Sequence, residues 1–193
     1  AAAMMKVMAD SYPKTLQPKL FGAFLSRGSY DMLGNASKQR AKAVGIIRGL
    51  LEKHPANPLV LGFWLSLHAE APIGIEFIKK EVLPEARKLV EMCPKVPSWH
   101  HMLGHYEWRA GNYHMAQRAF TQAAKLYESW MKRERISLND CEEYVRAKCY
   151  LANTLYQRGD FDAAMKVAKD LRAMKLDPTR PASEGNQILL WPH

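Results

Sequence analysis

His101 and His105 stand four residues apart in the run Pro97-Ser98-Trp99-His100-His101-Met102-Leu103-Gly104-His105-Tyr106-Glu107-Trp108-Arg109. On a helix that spacing puts both imidazoles on one face, one turn apart, a separation that can hold a divalent metal ion. His68, from an earlier helical stretch, is a candidate third ligand, with Glu70 and Glu107 the nearest carboxylates in sequence. A metal-dependent enzyme or metal-binding protein built on His68, His101 and His105 is therefore one reading. Against it, the H-x-x-x-H run lacks the glutamate after the first histidine that a metalloprotease uses as general base. Paired helical histidines more often serve as polar groove residues or interhelical hydrogen-bonders. No phosphate-binding glycine loop, dinucleotide fingerprint or nucleophile elbow occurs anywhere in the chain. No catalytic residue and no cofactor are assigned.

The elements that must carry these side chains are helices. Apolar positions recur at helical spacing between Ser37 and His54, ending at Pro55, and Asn57-Pro58 then reads as an N-cap followed by proline in the first turn of a helix to about Glu70. Pro72 to Cys93 is a further helical stretch, in which Pro84 predicts a kink or a restart. Asn139, with Glu142 three residues later, reads as a capping box opening a helix to Arg158. No stretch alternates apolar and polar residues long enough for a strand. The fold class expected is all-α.

Two segments repeat one pattern. The first has Leu103-Gly104, then Gly111, Tyr113, Ala116, Phe120 and Ala123; the second has Leu151-Ala152, Leu155, then Gly159, Phe161, Ala164, Ala168 and Leu171. Small residues suit places where antiparallel helices approach closely, and the turn glycines permit a left-handed backbone. Gly104, Ala116, Ala152 and Ala164 are accordingly expected to be buried at helix crossings. This pattern resembles the tetratricopeptide (TPR) repeat and implies a right-handed α-solenoid of antiparallel helix pairs. Gly111 and Gly159 are 48 residues apart, longer than a standard TPR period. The second helix of the first repeat is thus expected to run on through Trp130 to Arg135. The organisation expected is a basic helical region over 1–56, a degenerate TPR-like pair over 57–96, repeats over 97–138 and 139–177, and an irregular tail or start of a further unit over 178–193.

More specifically, His68, Ala86, Leu89 and Pro94, then His101-Met102-Leu103-Gly104-His105 and Arg109-Ala110-Gly111-Asn112-Tyr113, resemble bacterial TPR proteins related to the tetratricopeptide repeat protein 38 family. Leu103-Gly104 departs from the Pro-Ser of that pattern. The resemblance to TPR pairs implies that the first helix of each repeat lines a concave groove. Counted from the turn glycines, the groove residues are then His101, His105, Trp108 and Arg109 in one repeat, with Arg146, Cys149, Asn153 and Tyr156 in the next. Asn153 falls where peptide-clamping TPR domains hydrogen-bond a ligand backbone. Guanidinium and amide donors over an aromatic floor suit an extended peptide or a carboxylate. The lysine-rich set that clamps a C-terminal carboxylate in chaperone-binding TPR domains is missing. The function expected is a protein-interaction scaffold binding a peptide or partner segment, and an acidic one is favoured by the positive groove.

Composition bounds these readings. A chain of 193 residues with 48% hydrophobic and 24% charged residues folds as one domain or one short solenoid rather than staying disordered. No apolar run reaches the roughly 18 residues of a membrane span. The net charge of +9 is concentrated N-terminally: residues 1–60 hold nine Lys/Arg against three Asp/Glu. No RNA- or DNA-binding motif accompanies that charge, so a nucleic-acid partner is disfavoured. Cys93, Cys141 and Cys149 form no C-x-x-C pair. The opening Ala1-Ala2-Ala3-Met4-Met5 has no signal-peptide character, and a cytoplasmic location is expected. The irregular tail suggests a chain belonging to a longer repeat protein.

Overall fold

A computed structural model describes residues 1–176 and Thr179. Among the described residues the regular structure is helical, with one isolated bridge between Tyr30 and Ala36. The chain divides into two compact units, Ala1–Leu89 and Val90–His193. The expected tail over 178–193 lies, apart from Thr179, outside the described residues.

The first unit contains α1 (Ala2–Ser11), α2 (Leu16–Leu25), α3 (Lys38–Lys53), α4 (Pro58–His68), the single turn α5 (Ile75–Phe77) and the start of α6 (Leu83–Met92). Local chemistry sets the helix starts. Ser37 Oγ accepts the Arg40 N–H at the head of α3, and Asn57 Oδ1 accepts the Leu59 and Val60 N–H groups at the head of α4. These bonds satisfy donors that have no partner inside the helix. α4 is the hydrophobic centre, with Leu61, Trp64, Leu65 and Leu67 all within 1% of full burial. Its last turn is closed by Arg40, whose buried guanidinium donates to the Leu67 carbonyl at 2.9 Å and lies 4.6 Å over the Tyr30 ring.

Pro84 does not break its helix. A π-helical turn, Ile78–Val82, precedes it, and α6 continues to Met92. Pro84 has no N–H for the carbonyl four residues back and its ring crowds that carbonyl; the wider turn accommodates both. The Trp64 indole N–H donates to the Glu81 carbonyl at 3.1 Å, tying α4 to this turn.

The second unit is built from α7 (Pro97–Arg109), α8 (Tyr113–Glu134), α9 (Glu142–Gln157) and α10 (Phe161–Arg172), each packed on the next. The turns α7–α8 and α9–α10 have the same geometry. Gly111 and Gly159 are left-handed at φ 81° and 82°. The Asn112 N–H donates to Glu107 O at 2.8 Å, and the Asp160 N–H to Leu155 O at 3.0 Å, so each turn closes with the same bond spanning five residues. The end of α8 repeats the device without glycine: Arg135 is left-handed at φ 54°, and the Ile136 N–H donates to Met131 O at 2.9 Å.

α8 runs through Trp130 to Glu134, the expected extension. Beyond it, Ile136 and Leu138 pack on the core of Tyr127, Cys141, Tyr144 and Leu171. The expected capping box is not formed. Asn139 belongs to a 3-10 turn, Leu138–Asp140, and its Oδ1 accepts the Ser137 hydroxyl at 3.0 Å, while α9 begins after Cys141 without a side-chain cap. Gly104, Ala116 and Ala164 are buried, whereas Ala152 is only half-buried. Gly104 meets Phe120, whereas the position equivalent to Phe120 in the second repeat, 48 residues on, holds the smaller Ala168.

Candidate functional face of the second unit

The 48-residue offset aligns α7 with α9 position by position, so His101, His105 and Trp108 correspond to Cys149, Asn153 and Tyr156. The chemistry at equivalent places differs, and so does the burial. On α7 the rings turn inward. His101 is edge-on to Phe120 at 5.4 Å and to Tyr150 at 5.3 Å, and His105 is 5.6 Å from Tyr150. Tyr150 in turn stacks on Phe120 at 5.3 Å. Tyr150 of α9 is thus the hub that joins the two imidazoles, and sequence reasoning passed over it in favour of Cys149. One signal was available: Tyr150 lies one turn after Arg146 and about one before Asn153, on the same helical face.

Burial lowers the His101 pKa from the ordinary histidine value to about 4, helped by His105 and by the Arg146 guanidinium. His101 is therefore neutral at pH 7, with its Nδ1 buried and without a hydrogen bond. A neutral imidazole held among aromatic edges is packing with a polar atom left over, not a poised acid or base. Arg146 is exposed and paired with Glu142 one turn earlier.

Trp108 packs half-buried against the cluster of Ala116, Phe120, Leu151, Leu155 and Ala164, with its indole N–H buried and unbonded. It faces Tyr113 at a ring distance of 6.4 Å. The equivalent pair in the next repeat, Tyr156 and Phe161, is closer at 5.3 Å yet 60% exposed at each residue. Arg109 is half-buried and Asn153 exposed. The open side chains of the set are thus on α9: Arg146, Asn153 and Tyr156. Cys149 joins the core instead, and burial pushes its thiol pKa up, as it does for Cys141.

Glu107 is a further residue that sequence reasoning left as a mere neighbour of the histidines. It is 1% exposed, and its Oε2 accepts the Asn112 side-chain amide at 2.7 Å across the turn. His100, also buried, has Nε2 2.8 Å from the Pro94 carbonyl.

Of the three histidines in the metal reading, His68 is in the core of the first unit, its ring 4.3 Å from Trp64 and 5.3 Å from Phe77. Among the described residues no group of three His, Cys, Asp or Glu side chains is placed to hold a metal ion. Nor is any described helix long and apolar enough to cross a membrane.

No protein-family model matches the chain, and no curated protein matches it. Solved structures do. MamA 41-end from Desulfovibrio magneticus RS-1 is similar at TM-score 0.61 and 15% identity, over 88% of this chain and 80% of that one. The MamA RS-1 ArsTM double mutant is similar at TM-score 0.61 and 14% identity, over 87% and 79%. At such identity the likeness is one of fold, and with the repeated helix pairs and glycine turns it makes this chain an all-helical, TPR-like repeat protein.

Proposed function

We propose that the second unit is a protein-interaction module whose ligand is a peptide or partner segment held along the first helices, α7 and α9. The residues of that face are His101, His105, Trp108, Arg109, Arg146, Asn153 and Tyr156. The observation that carries the reading is the open side of α9: Arg146, Asn153 and the 60%-exposed Tyr156 are surface groups beside the Tyr150–imidazole cluster. Guanidinium, amide and phenol are the chemistry of binding hot spots and of backbone recognition. The half-buried aromatics behind them supply a rigid apolar floor at little entropic cost.

An acidic segment is the favoured ligand. Two guanidinium groups, Arg109 and the exposed Arg146, lie on this face, the latter paired with Glu142. A carboxylate arriving at Arg146 would exchange one ion pair for another, so the gain comes from the added hydrogen bonds and from the water released by the aromatic floor. The partition into repeats 97–138 and 139–177, and the closer kinship with proteins related to the tetratricopeptide repeat protein 38 family, are part of the same proposal.

The test is a peptide array probed with the 193-residue chain and with its Arg146→Ala/Asn153→Ala variant. Both positions are exposed, so the fold should survive, which circular dichroism checks. Loss of the specific signals in the variant supports the proposal. Retention of every signal by a folded variant removes α9 as the binding face.

A further inference from the structure

The first unit carries a second, unrelated surface. α1, α2 and α3 bound an open trench of about 730 Å³ made entirely of residues of that unit. Its floor is small and apolar, with Gly22 and Ala23 from α2 and Gly45, Ile46, Gly49 and Leu50 from α3. Four lysines, Lys6, Lys19, Lys42 and Lys53, stand among the lining residues, and no aspartate or glutamate does. Lys19 donates to the Pro13 carbonyl at 2.5 Å. Lys6, Lys42 and Lys53 form no ion pair with a carboxylate among the described residues. Cations lining an apolar channel that holds no carboxylate focus a positive potential along it.

A second observation gives the shape of the occupant. Gly45 and Gly49 are inside α3, where glycine is among the least favourable residues. A methyl group at either would meet nothing within 4 Å, so no contact among the described residues requires the missing side chains. They lie one turn apart, on the face shared with Lys42, Ile46 and Lys53. Two glycines one turn apart in that floor let another helix come close beside Ile46 and Leu50, since the distance between packed helices is set by the side chains at the crossing. An acyl chain would call for an enclosed cavity, whereas this trench is open to solvent.

We propose that this trench is the docking site for an acidic amphipathic helix of a partner protein. The partner's small apolar stripe lies on Gly45 and Gly49, and carboxylates beside the stripe meet Lys6 from α1 and Lys42 and Lys53 from α3. Lys42 and Lys53 are about 16 Å apart along α3 at helical rise, so the docked segment spans about three turns. This proposal goes beyond the α7/α9 face and stands or falls without it.

The probe is a synthetic, fluorescently labelled helical peptide of about 18 residues, with Ala and Leu on one face and Glu on both flanks. It is titrated by anisotropy into the full chain. Saturable binding is expected, weakened at least about tenfold in Lys42→Glu/Lys53→Glu and, separately, in Gly45→Leu/Gly49→Leu. The leucine variant should keep or raise its thermal midpoint, because both positions are open. A peptide with Lys flanks should fail on the wild type and bind the Lys42→Glu/Lys53→Glu variant. No binding up to about 1 mM, or equal binding by wild type and both variants, overturns the proposal. It is also overturned if sodium palmitate, phosphatidylserine vesicles or self-association of the chain shows the trench-dependent loss and the peptide does not.

Discussion

Gly104 of α7 lies directly against the ring of Phe120 of α8: a Cβ at position 104 would come within 2.7 Å of Cε1, 2.8 Å of Cδ1 and 2.9 Å of Cζ. Phe120 is fully buried and stacked on Tyr150, so it has no free direction in which to retreat. Gly104→Ala should therefore destabilise the second unit by about 1–3 kcal/mol, against a helix-propensity gain of about 1 kcal/mol. Phe120→Leu should relieve part of that cost, giving a double variant less unstable than the sum of the singles. Urea unfolding of the three variants checks this; additive losses would mean that the two residues do not press on each other.

The left-handed positions give a sign test. Gly111→Ala and Gly159→Ala place a side chain at φ 81° and 82° and should each cost about 1 kcal/mol. Arg135→Gly, at φ 54°, should instead stabilise by up to about 1 kcal/mol. Thermal midpoints of the three variants decide it, and a fall for Arg135→Gly would contradict the account of how α8 ends.

Acid should weaken the second unit through His101. Its folded pKa of about 4 is below the unfolded value of 6.5, so the unfolded chain takes up the proton first. The stabilisation from the neutral ring is complete above pH 6.5 and is lost as pH falls towards 4, by at most about 3 kcal/mol. Comparing urea midpoints at the two ends of that window, His101→Leu should show a smaller acid loss than wild type. Equal losses would mean that another group carries the acid sensitivity.

Glu107 is a buried carboxylate whose partner amide belongs to the turn. Glu107→Ala should cost about 1–3 kcal/mol by stranding Asn112, while Glu107→Gln, which keeps an acceptor, should cost less. Denaturant unfolding orders the pair, and the reverse order would place the stabilisation elsewhere.

What was legible in the sequence follows from how local each signal is. Ser37, Asn57-Pro58, Gly111 and Gly159 act within a turn of chain, and the helix ends they imply are present. Asn139 and Glu142 satisfy the same kind of rule, but Asn139 is taken into the 3-10 turn Leu138–Asp140 and α9 starts only after Cys141. The consequence of Pro84 was legible as a disturbance, not as a π-turn, because a missing donor and a bulky ring can equally be met by a kink, a restart or a wider turn. The role of Tyr150 depends on Phe120, His101 and His105 from two neighbouring helices. Burial of that kind is set between elements, where period and spacing along one helix carry no information.

The central claim is that the α7/α9 face binds a peptide, and the most direct test is to map the contact. A peptide selected on the array is titrated into isotope-labelled chain while backbone and side-chain NMR shifts are followed. The account predicts saturable changes at His105, Arg146, Tyr150, Asn153 and Tyr156, with the outward faces of α8 and α10 unmoved. Changes confined to α8 and α10, or to the first unit, would contradict it.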